Sequence, residues 1–151
     1  MNESDAQKTI YKDFIQEKRH VLAVPNCKAL YPRGESDLIS VTPAGLVHEF
    51  EIKRTESDFE RDFESKSFKH EVLEEGAPID DKCTPNYFWF AMPRTLCEKV
   101  EVPEYAGKMC LGSSGCDVKK KAPRRHSRNI TDRARQYLER GVTVRFWDKS
   151  F

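Results

Sequence analysis

The chain has 151 residues, a formal net charge of +1, and is 38% hydrophobic and 34% charged. That length buries one core and is short for two, so a single domain is expected. Nine Phe, five Tyr and two Trp supply the bulky side chains a disordered chain lacks, and no run approaches the ~18 apolar residues of a membrane-spanning helix.

In chain order, Ser4 to Arg19 reads as a first helix, with Ser4 as N-cap and Ile10 and Phe14 on one apolar stripe; Glu17 falls near its end. Val21 to Val24 is β-like and broken by Pro25, and Ala29 to Gly34 reads as a loop. Asp37 to Val41 and Leu46 to Lys53 are strands joined by the turn Thr42-Pro-Ala-Gly45, an antiparallel hairpin. From Thr55 or Ser57, either of which can cap, a helix carries Phe59, Phe63, Val72 and Leu73 inward to about Glu75. Gly76, Pro78 and Asp80-Asp81 then end it.

Tyr87 to Met92, unbroken in apolarity, predicts a strand covered on both faces. Pro103 to Gly107 reads as a turn, Lys108 to Leu111 and Asp117 to Lys119 as strands around a Gly112–Gly115 tip. A last helix runs from Arg128 or Asn129 to Arg140, capped by Gly141, and Val142 to Trp147 is expected as a closing strand.

Charge is unevenly spread. Lys119, Lys120, Lys121, Arg124, Arg125, Arg128, Arg133, Arg135 and Arg140 face only Asp132 and Glu139 in the same stretch, and Lys66, Lys69 and His70 form a second basic group. Such local excess is what phosphate contact requires, although a solvated charged face looks the same in sequence. His126, beside Arg124 and Arg125, is either structural or a further phosphate contact. The five cysteines, Cys27, Cys83, Cys97, Cys110 and Cys116, are odd in number and have neither C-x-x-C pairs nor zinc-ligand spacing. They predict reduced thiols in an intracellular protein. The polar, acidic N-terminus lacks an export signal's apolar segment, so a cytoplasmic location is expected.

The chemistry concentrates between Gly34 and Phe63. Side chains alternate along a strand, so Glu49, Glu51 and Lys53 share one face while Phe50 and Ile52 take the other. Phosphodiester hydrolysis needs an aligned water and a Lewis acid against the charge that develops on phosphorus. Magnesium supplies the second from one or two carboxylates, with manganese an alternative. Asp37 and Glu51 are the candidate ligands, joined by the Ile52 carbonyl, and Lys53 would position or help deprotonate the water. Glu49 and Glu17 are candidate additional carboxylates.

Asp37 and Glu51-x-Lys53, fourteen residues apart across a hairpin, resemble the signature of the PD-(D/E)XK, or restriction-endonuclease-like, nuclease superfamily. Ser36 stands where the motif has proline. The segments SDLISVT, EIKRTESDFERDF, PNYFWFAMP, VPEYAG and KKAPRRH resemble small phage and bacterial proteins with this fold, over most of residues 34–128. The resemblance implies an α/β core in αβββαβ order, a mixed central sheet flanked by helices, and magnesium-dependent cleavage of DNA. It also implies phosphate contacts at Lys66, Lys69 and His70, with Lys120, Lys121, Arg124 and Arg125 as further basic candidates. Two rivals remain open at this level: a DNA-binding or repair accessory protein with the same fold and no cleavage, and a subunit that cuts only with a second copy or a protein partner to target it. A charged edge strand in an unrelated α/β domain, with Glu51 simply paired to Lys53, would give the same local pattern.

Overall fold

Over residues 1–28, 30–31, 34–75 and 84–150, which the computed structural model describes, one mixed sheet runs through the protein with helices on both faces. Its strands are β1 (Leu22–Cys27), β2 (Ser36–Val41), β3 (Val47–Ile52), β4 (Tyr87–Pro93), β5 (Ala106–Gly112) and β6 (Gly115–Lys120), adjacent in that order. The pairs β1/β2, β2/β3 and β5/β6 are antiparallel, and β3/β4 and β4/β5 are parallel. Parallel neighbours need a crossover. Helices α2 (Glu56–Ser65) and α3 (Ser67–Glu75) lie between β3 and β4, and the short α4 (Arg94–Cys97) between β4 and β5.

Alternation along the strands sorts the core. Leu38, Phe50, Ile52, Trp89, Ala91, Met109 and Leu111 pack on one face against Ala6, Ile10 and Phe14. On the other, Phe88, Phe90, Met92 and Cys110 meet Phe59, Leu73 and Leu96, while Val24, Ile39, Val41 and Val47 meet Val72 and Leu138. Strand β4 is buried along its centre from both sides, as its composition implies.

Several elements differ from the expectation. The first helix is capped by Asn2, in a reciprocal capping box with Asp5, and not by Ser4. It is α-helical over Glu3–Tyr11 (α1) and π-helical over Lys12–Glu17. Strand β1 continues through Pro25, opposite Leu38, because on an edge strand the missing N–H costs no ladder bond. The helix expected from residue 55 to 75 begins at the Thr55 cap but breaks at Lys66 (φ −120, ψ 38) into α2 and α3.

The closing strand is corrected outright. Residues 142–147 belong to helix α5 (Asp132–Ser150), which runs through Gly141 without a cap. Val142, Val144 and Phe146 favour strand by type, but Leu138 buries completely against β1, and Arg145 donates to the carbonyls of Gly141 and Asn26. Tertiary contact overrides the weak local preference. The expected helix stop at Gly76, Pro78 and Asp80-Asp81, and Cys83, lie outside the described residues. No described helix is long and apolar enough to cross a membrane.

Candidate active site

The hairpin brings Asp37, at the start of β2, level with Glu51 near the end of β3. Leu38 pairs with Phe50, so the two acidic residues are neighbours across the ladder on the face covered by α2 and α3. Asp37 is held from two sides: its carboxylate accepts from the Ile52 N–H at 2.7 Å, and its carbonyl from the Gln7 side chain of α1 at 2.8 Å. Both lie at the carboxyl end of β3, where α/β sheets commonly bind ligands.

A cleft of about 300 Å³ opens there, lined by Glu3, Asp37, Ile52, Lys53, Arg54, Asp58, Arg61, Asp62, Ser65 and Lys66. Glu51 is fully buried behind it. Its Oε1 accepts from Lys66 Nζ at 2.7 Å and Lys69 Nζ at 2.5 Å. Among the described residues no fixed donor reaches its buried Oε2: Lys53 Nζ stands 3.8 Å away, and the Asp37 carboxyl can donate to Glu51 only while it is protonated. Burial opposes the Glu51 charge and so does Asp62, but Lys69, Lys66 and Lys53 outweigh them and hold its carboxyl below the usual range. Asp37 has the reverse fate: burial first, then the charge of Glu51, raises its carboxyl to about 8.

Glu49 is also fully buried, one strand period behind Glu51. It accepts from Tyr31 Oη at 2.5 Å, Ser36 Oγ at 2.6 Å and Lys69 Nζ at 2.6 Å, and does not line the cleft. Glu17 is exposed and also outside the cleft, which the same helical segment reaches through Glu3 at its other end.

The basic group after the hairpin is corrected in position. Lys69 is 1% exposed and spent on Glu49 and Glu51, because the break at Lys66 turns α3 so that this lysine points under the sheet. His70 is 7% exposed and bonded to Asp62 and Tyr105. Neither is presented to a phosphate. Lys66, half-buried, does line the cleft. Of the later candidates, Arg125 turns inward to the carbonyls of Leu73, Val72 and Pro85, tying down the end of α3. Lys120 donates to the carbonyls of Pro103 and Glu104, and His126 bonds to Thr84. Lys121 and Arg124 are exposed.

Asp62 is the residue that sequence reasoning missed. It is 1% exposed, and its Oδ1 lies 2.5 Å from Lys53 Nζ. A signal was present: Asp62 stands three residues after buried Phe59, on the inner side of α2, where an unpartnered carboxylate is costly.

Among the described residues, no three histidine, cysteine or acidic side chains converge as a metal cage. A magnesium site needs less, since this ion keeps several waters beside one or two carboxylates. The proton that burial and the charge of Glu51 keep on Asp37 is shared between two adjacent carboxyls, and a hard cation fits the place of that proton.

No protein-family model matches the chain, and no curated protein sequence matches it. One solved structure, a protein of unknown function from Silicibacter pomeroyi, is similar with a TM-score of 0.66 at 13% identity, over 99% of this chain and 89% of that one. The likeness is one of fold alone. This chain thus shares its α/β architecture, a six-stranded mixed sheet flanked by helices, with a protein that brings no activity to it.

Proposed function

We propose that the protein is a magnesium-dependent deoxyribonuclease with a restriction-endonuclease-like core, acting in the cytoplasm. The observation that carries this reading is the close approach of two carboxyls at the cleft, half-buried Asp37 and fully buried Glu51, with Lys53 Nζ 3.8 Å from Glu51 Oε2. The element order from α1 through β1–β3 and α2/α3 to β4 supports the core expected of that superfamily.

Asp37 and Glu51 would hold the ion, with manganese able to replace magnesium and the Ile52 carbonyl as a further oxygen. Bound there, the cation supplies Lewis acidity toward a phosphodiester oxygen and a more acidic water. The protein does the rest by placement. The Ile52 N–H fixes the Asp37 carboxylate, Lys66 and Lys69 fix Glu51 through its other oxygen, and Lys53 offers a cation to orient the water and offset developing negative charge. Arg54 and Arg61, exposed at the cleft, together with Lys121 and Arg124 outside it, are the cations available to the DNA backbone.

A second reading, a DNA-binding or repair accessory protein without cleavage, is favoured by one feature: Glu51 is already ion-paired to two lysines, so the site is charge-balanced without an ion. The two separate by incubating the protein with linear, circular, single-stranded and branched DNA in magnesium, manganese or EDTA. Cleavage is expected only with metal, and Lys53→Ala or Asp37→Ala should lower its rate by about 10²–10⁴-fold. Metal-independent cleavage, or variants as active as the parent, would sink the nuclease mechanism; binding without cleavage on every substrate would favour the accessory protein.

A further inference from the structure

Lys53 does not stand free in its cleft. Its Nζ donates to Asp62 Oδ1 at 2.5 Å, the other Asp62 oxygen lies 2.6 Å from His70 Nε2, and His70 Nδ1 lies 2.6 Å from Tyr105 Oη. These four side chains come from the end of β3, from α2, from α3 and from the segment before β5. They connect the cleft to a second hollow of about 450 Å³, lined by Phe63, His70, Glu74, Pro103, Glu104 and Tyr105.

The Asp62 carboxylate fixes the protons on either side of it. Burial opposes the charge on Asp62, but His70 and Lys53 hold its carboxyl well below the usual range, so it accepts and cannot donate. His70 must therefore carry a hydrogen on Nε2, and its Nδ1 is left to share a hydrogen bond with the Tyr105 hydroxyl. Burial raises the Tyr105 hydroxyl well above its ordinary range, so it keeps its proton. The imidazole cannot turn away: Phe63 lies 4.5 Å from it, and Phe90 stacks at 6.1 Å and 15°.

A surface ion pair would need none of this. Asp62 could pair with Lys53 from an exposed position at little cost, yet it is buried and backed by a second buried group whose orientation is set by a third. We propose that Asp62, oriented by His70 and Tyr105, is the positioning residue for Lys53. The relay holds the ammonium at one place between Asp62 and Glu51 Oε2, and makes that place sensitive to what happens at the second hollow. The role in cleavage rests on the nuclease reading; the restraint of Lys53 does not.

The test uses the full chain labelled with ¹⁵N at lysine, and the variants Asp62→Asn, His70→Leu, His70→Gln and Tyr105→Phe. The Lys53 ammonium signal should be visible and protected from exchange in the parent, lost in Asp62→Asn and His70→Leu, and kept in His70→Gln, whose amide replaces the Nε2 donor. In magnesium-dependent cleavage, Asp62→Asn and His70→Leu should lower kcat about tenfold with KM unchanged, and His70→Gln should recover most of it. Tyr105→Phe, which removes one hydroxyl from a half-buried ring, should give a smaller loss of the same kind. A Lys53 signal indifferent to Asp62 and His70, or rate losses no larger than the loss of folded protein, would overturn the relay. A parent that does not cleave but whose Lys53 signal answers to Asp62 would overturn the nuclease reading and leave the relay standing.

Discussion

Lys69 decides whether two buried carboxylates can coexist. It donates to Glu49 and Glu51 at 2.6 and 2.5 Å with no exposed side-chain surface, and although burial opposes its charge, the two glutamates raise its pKa. Lys69→Met would leave Glu49 and Glu51 facing each other without their shared cation, and should cost about 3–5 kcal/mol in denaturant unfolding. Lys66→Met should cost clearly less, because Lys66 reaches solvent and Glu51 keeps Lys69. Asp37 makes a prediction of opposite kind. Its folded-state pKa is raised, to about 8, so between the unfolded value and that one the folded protein binds the extra proton, and stability falls as pH rises through the window. In EDTA, Asp37→Asn should therefore stabilise more at about pH 9 than at about pH 5, and magnesium should stabilise the parent but not the variant. Equal effects at both pH values would contradict the placement of Asp37 beside Glu51. The spacing of Asp37, Glu51 and Lys53 was legible because strand alternation needs no tertiary information. Their partners were not, since the identity of Lys69 as a counter-ion depends on where α3 points.

At the level of elements, the break at Lys66 is what delivers Lys69 and His70 to the site; a straight helix from Thr55 to Glu75 would present a different face to the sheet. Charge pattern alone made these residues a surface patch. The close approach at Gly107 in β5 is a second such constraint. A Cβ there would lie 2.5 Å from the Trp89 ring and 2.6 Å from the Ala122 nitrogen, a rigid ring and a backbone atom that cannot step aside. Gly107→Ala should therefore destabilise by about 1–3 kcal/mol, read as a lower melting temperature with magnesium present or absent. An unchanged midpoint would mean that β4 and the segment after β6 pack more loosely than described. The sequence reading placed Gly107 at the end of a turn, where glycine supplies conformational freedom; in the fold its value is the absent side chain.

For the whole molecule, the sheet separates two kinds of buried polarity. The acid–lysine cluster lies toward α2 and α3, while His48 accepts from Trp89 Nε1 at 3.1 Å and stacks on Tyr87 at 4.5 Å. Burial, helped by His20 and Lys18, lowers the His48 pKa to about 3. Here the unfolded chain binds the extra proton, so this contribution is complete above the ordinary histidine range and is lost as pH falls from there toward 3. His48→Gln should flatten the acid limb of the stability profile, measured by denaturant unfolding across that range. A limb of unchanged steepness would assign acid sensitivity to other groups.

The sequence by itself determined what short-range periodicity can determine: the hairpin, the inward stripes of α1 and α2, the buried centre of β4, and the alignment of Asp37 with Glu51 and Lys53. Each follows from a two-residue or 3.6-residue repeat within a few neighbouring turns. Only the tertiary structure decided that residues 142–147 are helical, that Lys69, His70 and Arg125 point inward, and that Asp62 holds Lys53. Those outcomes depend on which layer each residue meets, and a charge or a β-branched side chain carries no record of the partner that will bury it.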